Sequence, residues 1–282
     1  ISPTHENLYG AQKLAAEAPR QIANAHTIFN VANTMIFIWF TTLIARLVEW
    51  MIPDRPLDEE SLIAAKYLDA DVLSTPSIAL DLVRREIRHM GEQVLEMIAD
   101  IMPAILHGSV DALDEIRAID ERVDILHAQI VVYLGRISQA ELTEKLTVEL
   151  MHLMDASNDL ENIGDVVEMN LVELGRRRIG KGVAISKPTQ VVLTDFHQVV
   201  MDAVSAAIRA VANDDYEAAQ AVTGMKKEIM RITNSAANHE AKRLVANEPQ
   251  RIEAYTVEMD IAEKLQRIYY FARRMARTVS ES

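Results

Sequence analysis

From Thr75 onward the apolar and polar positions recur at helical spacing, and no stretch alternates as a strand would. In "TPSIALDLVRREIRHMGEQVLEMIADIMPAIL" the apolar stripe runs through Leu80, Val83, Ile87, Met90, Val94, Met97, Ile98 and Ile101. Thr75 before Pro76 predicts an N-cap with proline at the first helical position. Gly108 and Ser109 predict the end of that helix at a tight corner. A second helix is expected to about Ser138, and a third from about Gln139 or Glu141 to Leu174. Long amphipathic helices joined by short loops pack as antiparallel neighbours, which predicts a three-helix bundle over 76–180. "GRRRIGKGVAISKP", residues 175–188, is rich in glycine and basic side chains and reads as a linker. Three further helices are expected at about 189–213, 215–246 and 250–279.

The second set repeats the first at an offset of 105 to 106 residues. "GSVDALDEI" lies over "DDYEAAQAV", "AIDERVDIL" over "GMKKEIMRI", and "MDASNDLENI" over "MDIAEKLQRI". Apolar positions match while charges do not, as in duplicated bundles that share a core pattern. The fold class is therefore all-α: two tandem three-helix bundles, the second over 189–280.

Ahead of them, residues 1–52 have a different character. Thr27 to Val48, "TIFNVANTMIFIWFTTLIARLV", carries a single charge, Arg46, and is about long enough to cross a bilayer as a helix. Trp39 and Trp50 suit an interface, and Arg46 can snorkel. Asn30, Asn33, Thr34, Thr41 and Thr42 favour a helix packed against other membrane helices over a lone anchor. The plainer reading is a buried helix of a soluble protein. "PDRPLDEE" then opens a linker over 53–75. The first residue is Ile1 rather than Met, which suits the tail of a longer protein. About twenty mixed residues precede the first apolar run, so no secretory signal is visible.

Charge and composition narrow the chemistry. The formal net charge of the 282 residues is −13, which disfavours a nucleic-acid partner held through phosphates and suits a cation. There is no cysteine, which excludes disulfides, thiolate metal sites and thiol nucleophiles. Gly-rich phosphate loops, G-x-S-x-G and H-E-x-x-H are all absent.

Acids concentrate in the first copy. Asp120/Asp124, Asp155/Asp159 and Glu161/Asp165 are four apart, where like charges on one helix face repel. The repeat-equivalent positions are Lys226 and Met230, Asp260 and Lys264, and Gln266 and Tyr270. Counting inward from the intervening loop puts Asp124 level with Asp155 and Asp120 level with Asp159. A di- or trivalent cation would turn such repulsion into coordination. Helical projection sets Glu161 and Asp165 opposite the core stripe and Asp155 and Asp159 to one side, so a solvated face remains open beside a metal site. Two ExxH pairs, Glu86/His89 and Glu149/His152, with His127 at a similar level, pose a carboxylate-bridged di-metal enzyme as a further alternative.

"KYLDADVLSTPSIALDLVRREIRHM", "IDERVDILHAQIVVYLGRIS" and "DASNDLENIGDVVEMN" resemble the PhoU-like domain fused to the C-terminus of bacterial sodium/phosphate cotransporters. The last stretch is close to that family's D-L-E-R-I-G-D signature, with Asn162 in place of Arg. "RQIANAHTIFNVANTMIFIWF" resembles the last membrane helix of the transporter, with its A-H-x-x-F-N motif at Ala25, His26, Phe29 and Asn30. The resemblance implies two tandem three-helix bundles and no enzymatic role. It also implies (E/D)xxxD motifs that bind iron, manganese, zinc or magnesium, here at Asp120, Asp124, Asp155, Asp159, Glu161 and Asp165. It places sodium and phosphate sites in a transporter core upstream of Ile1, at the plasma (inner) membrane, with the bundles cytoplasmic and regulatory. A homodimer is a further partner this allows. The alternative is a metal-free interaction or scaffold module in phosphate signalling.

Overall fold

The computed structural model describes residues 22–37, 40, 65–243 and 251–280. Residues 22–37 form helix α1, with every described side chain exposed, including Ile28, Phe29, Met35 and Phe37. This is the first part of the predicted membrane helix; its later part, like residues 53–64 of the expected linker, lies outside the described residues.

The chain from residue 63 forms a separate compact unit. Residues 65–75 run to the first long helix, with a single 3-10 turn at Ala70–Val72. Helix α2 spans Pro76–His107 and ends at Gly108 as predicted; Thr75 stands at the N-cap position before Pro76 but its side chain makes no capping hydrogen bond. Its apolar stripe, Leu80 through Ile101, is entirely buried. Helix α3, Val110–Ile137, begins at Ser109, whose side chain accepts from the Ala112 N–H. Helix α4, Glu144–Asp165, starts later than expected because Thr143 supplies the N-cap, accepting from the Leu146 N–H.

The basic stretch expected as a linker from residue 175 is largely helical. α4 passes through a π-helical segment, Val166–Leu171, into helix α5, Val172–Lys181. Gly175 does not break the helix: a Cβ there would stand 2.9 Å from Leu113 Cδ1, so it is a close-packing glycine. The stop is Gly182, whose left-handed backbone (φ 63°) caps the helix.

Helix α6, Lys187–Asn213, starts at the Ser186 cap with Pro188 in its first turn. The single helix expected at 215–246 is two, α7 Tyr216–Gly224 and α8 Lys226–Arg243, broken at Met225. Helix α9, Arg251–Ser280, completes the set. Thus α2, α3 and α4–α5 form one three-helix group, and α6, α7–α8 and α9 the other. The groups meet along α2–α6 and α4–α9, and their buried side chains form one continuous core. At one close approach, a Cβ on Gly91 of α2 would lie 2.8 Å from Ile208 Cδ1 of α6. Nearby, His197 of α6 donates to the Ile98 carbonyl of α2 at 2.6 Å, tying the groups with a buried hydrogen bond.

Candidate functional site: an acidic helix seam

α3 and α4 run antiparallel in a register fixed by contacts across the seam. Arg117 Nε meets Glu168 Oε1 at 2.6 Å, and His127 Nε2 meets Asn158 Oδ1 at 3.0 Å. Between them Asp120 lies over Gly164: a Cβ on Gly164 would stand 2.7 Å from Asp120 Oδ1. The missing side chain makes room for that carboxylate. In this register Asp124 is level with Glu161, not with Asp155 as counting from the loop predicted, a slip of about one and two-thirds turns. The late start of α4 accounts for most of it.

The seam thereby gathers Asp120, Asp124, Glu161 and Asp165, and adds Glu168. Asp120 is 7% exposed; Glu161, Asp165 and Glu168 are half-buried; Asp124 is exposed. Burial pushes the Asp120 carboxyl up to about 7, and the charges of Asp124, Glu168, Asp165 and Glu161 push the same way. Glu161 is raised by burial and then by Asp165, and Asp165 by burial and then by Asp124 and Glu168. His127 opposes both shifts. The Arg117 guanidinium is bound to Glu168, and among the described residues no arginine pairs with Asp120, Asp124, Glu161 or Asp165. The π-helical segment opens immediately after Asp165 and carries Glu168. Such wide turns often mark functional sites in helices.

Asp155 and Asp159 do not join this group. Asp159 is fully buried between α4 and α9 and paired with Arg274, Nη2 to Oδ1 at 2.9 Å and Nε to Oδ2 at 3.2 Å. Burial raises its carboxyl to about 7 against the opposing pull of that guanidinium. Asp155, one turn away, is exposed.

The two ExxH pairs are employed elsewhere. Glu86 Oε1 binds His89 Nδ1 at 2.7 Å beneath residues 65–75. Glu149 binds Arg84 at 2.9 Å in a cleft of about 720 Å³ that His152 also lines. Among the described residues no three His, Asp or Glu side chains converge into a ready-formed metal site. The seam nevertheless suits a hard cation by its donor set, which is oxygen-rich, anionic and includes one desolvated carboxylate. Sequence reasoning missed Glu168, Gly164 and Arg274. Glu168 was within reach, since i+3 from Asp165 keeps it on the same face.

Fold and seam together define, over the described residues, an all-α double three-helix bundle with an acidic helix seam in one half. The PhoU domain family profile matches residues 87–169, from within α2 to within the π-helical segment, and so includes the whole seam. The chain is 23% identical to the "Putative inorganic phosphate export protein YjbB" of Escherichia coli (strain K12), over 91% of this chain and 47% of that protein. The protein of the same description in Salmonella typhimurium is 22% identical over 86% of this chain and 44% of its own length. The chain thus spans about half the length of the curated relatives it matches. PhoU from Pseudomonas aeruginosa superposes with a TM-score of 0.65 at 21% identity, covering 70% of this chain and 93% of that one. The phosphate transport system regulatory protein PhoU from Streptococcus pneumoniae gives 0.64 at 14% identity, covering 73% and 95%. The fold is PhoU-like.

Proposed function

We propose that this chain is the regulatory C-terminal part of a sodium-dependent membrane transporter of inorganic phosphate, governed by a hard cation at the α3–α4 seam. The observation that carries the cation is Asp120: a buried carboxyl group surrounded by four other acids, with no arginine among the described residues paired to it. Asp120, Asp124, Glu161 and Asp165 would hold the ion, with Glu168 beside them. Bound there, iron, manganese, zinc or magnesium supplies positive charge that removes the repulsion across the seam. An ion that prefers one spacing of α3 and α4 biases the domain toward it, which is what regulation requires. The exposed apolar side chains of α1 fit a helix that meets lipid or other membrane helices, with the bundles on the cytoplasmic side. The curated relatives are named for phosphate export, which favours efflux as the direction over the uptake implied by the cotransporter resemblance.

The test is metal content per chain, purified without chelator or affinity-tag histidines, beside Asp124→Asn/Asp165→Asn. Stoichiometric metal lost in the double variant is the expected result. Phosphate flux through the intact transporter is then expected to change when residues 76–282 are deleted; unchanged flux would remove the regulatory role. A metal-free interaction module is the second reading, favoured by the lack of a converged chelate among the described residues. It predicts no metal in either protein.

A further inference from the structure

Residues 65–75 carry no buried residue, yet three buried or half-buried side chains of the bundle are spent on holding them. The Ala65 N–H donates to Gln129 Oε1 at 2.6 Å, and the Tyr67 N–H to Glu86 Oε2 at 2.7 Å. Tyr133 Oη donates to the Asp69 carbonyl at 2.6 Å. The Tyr67 ring stands edge-on to His89, centroids 6.4 Å apart. Glu86 is the telling residue. It is 0% exposed, and among the described residues its Oε1 meets His89 Nδ1 while its Oε2 accepts from the Tyr67 N–H. Burying a carboxylate is costly, and an apolar side chain of like size would serve the core better. What Glu86 provides and an apolar residue cannot is a fixed seat for residue 67. Beside these bonds only Leu68, Val72 and Leu73 rest, half-buried, against the edge of the core. A segment held by a few directed hydrogen bonds and such marginal packing opens before the core does.

The holders are also placed to feel the seam. Gln129 and Tyr133 lie on α3, the helix that carries Asp120 and Asp124, and Asp124 is about 7 Å along the axis from Gln129. His127, which meets Asn158 at the end of the seam, sits between them. We propose that residues 65–75 are a releasable strap, gripped by Glu86, Gln129 and Tyr133, and that the net charge of the α3–α4 seam sets the strength of the grip. Acid repulsion across the seam displaces α3, and with it two of the three holders; neutralising the seam relaxes that displacement. The strap is then the output by which the domain acts on the chain preceding it. This rests on the regulatory reading above, but only its last step depends on a metal.

The experiment is backbone hydrogen–deuterium exchange on the full chain in detergent, without added metal. It compares the wild type, Glu86→Gln/Tyr133→Phe, and Asp124→Asn/Asp165→Asn. Exchange at residues 65–75 is expected to rise about tenfold in the first variant, the loss of about 1.4 kcal/mol of holding free energy, while core amides of α2 and α3 stay protected. In the seam variant, strap exchange is expected to change at least about threefold with the core again unaffected. If Glu86→Gln/Tyr133→Phe loses core protection, Gln129→Ala takes its place, because Gln129 is half-buried and its Oε1 holds the strap edge at Ala65. Strap exchange that is the same in wild type and seam variant overturns the proposal, as does a strap indifferent to loss of its holders. Metal analysis of the same samples separates the two readings. Metal bound at the seam with an unresponsive strap defeats this inference alone, whereas a responsive strap on a chain that binds no metal supports it and defeats the cation.

Discussion

Asp120 combines two destabilising conditions, scarcity of water and acidic neighbours, and the protein tolerates both at one position. Its carboxyl, raised to about 7 first by burial and then by Asp124, Glu168, Asp165 and Glu161, holds a proton that the unfolded chain has already released. Between about pH 4 and pH 7 the folded state therefore binds more protons than the unfolded one, so stability falls as pH rises through that window. His197 acts in the opposite sense, since burial lowers its pKa and protonation on acidification opposes folding. The useful measurement is thus a difference. The thermal stability of Asp120→Asn, relative to wild type without metal, is expected to be near parity at pH 4. It should grow by on the order of a few kcal/mol toward pH 8. A flat difference would mean that Asp120 is ionised in the fold at all these values. Added cation is expected to erase the advantage by stabilising the wild-type carboxylate.

α4 is an element with two acidic faces, and the structure assigns them to different partners. One face turns Glu161 and Asp165 to α3, continued by Glu168 of the π-helical segment; the other turns Asp159 to Arg274 of α9, while Arg177 of α5 meets Asp260 further along at 2.9 Å. The sequence allowed this split to be half seen. Projection put Asp155 and Asp159 to one side of the core stripe, but a single helix wheel has no α9 in it, so Asp159 was grouped by motif with acids it does not meet. Asp120, Asp124, Glu161 and Asp165 were legible because i, i+4 spacing survives any change of register. Their mutual level was not legible, because it depends on where Thr143 starts the helix. The pairing of Asp159 carries its own expectation. Arg274→Ala leaves a fully buried carboxylate without its partner and should cost about 2 kcal/mol or more, moderated by the half-exposed arginine. Asp159→Leu/Arg274→Met should recover most of that loss, because an apolar pair carries no desolvation penalty. Denaturant titration of the two variants decides it, and a double variant no better than the single one would mean the ion pair itself fixes α4 against α9.

At the scale of the whole molecule, the fold was the more legible part, since helical periodicity and the internal repeat both follow from burial patterns that survive when charges change. What periodicity could not show is how the copies share their surfaces. α6 is long and apolar enough to pass for a membrane span, yet half of its most apolar stretch is buried in protein. It is apolar on several sides because α2, α7, α8 and α9 all pack on it. Buried residues of α2 to α5 and of α6 to α9 accordingly belong to one cluster, running from Leu80 and Ile98 through Phe196 and Val204 to Ile268 and Met275. A repeat read from sequence suggests two bundles that fold separately; a shared core implies that neither half can lose its packing without exposing the other's inner face. Residues 63–282 are therefore expected to unfold in one calorimetric transition, with calorimetric and van't Hoff enthalpies in agreement. Ala207→Asp, which puts a charge at a fully buried position of α6, should lower the stability of both groups together. Two resolved transitions, or loss of the second group while amides of α3 and α4 remain protected, would show that the contacts along α2–α6 and α4–α9 are a docking interface between independent bundles. The acidic seam would then have to act on the preceding chain through the first bundle alone.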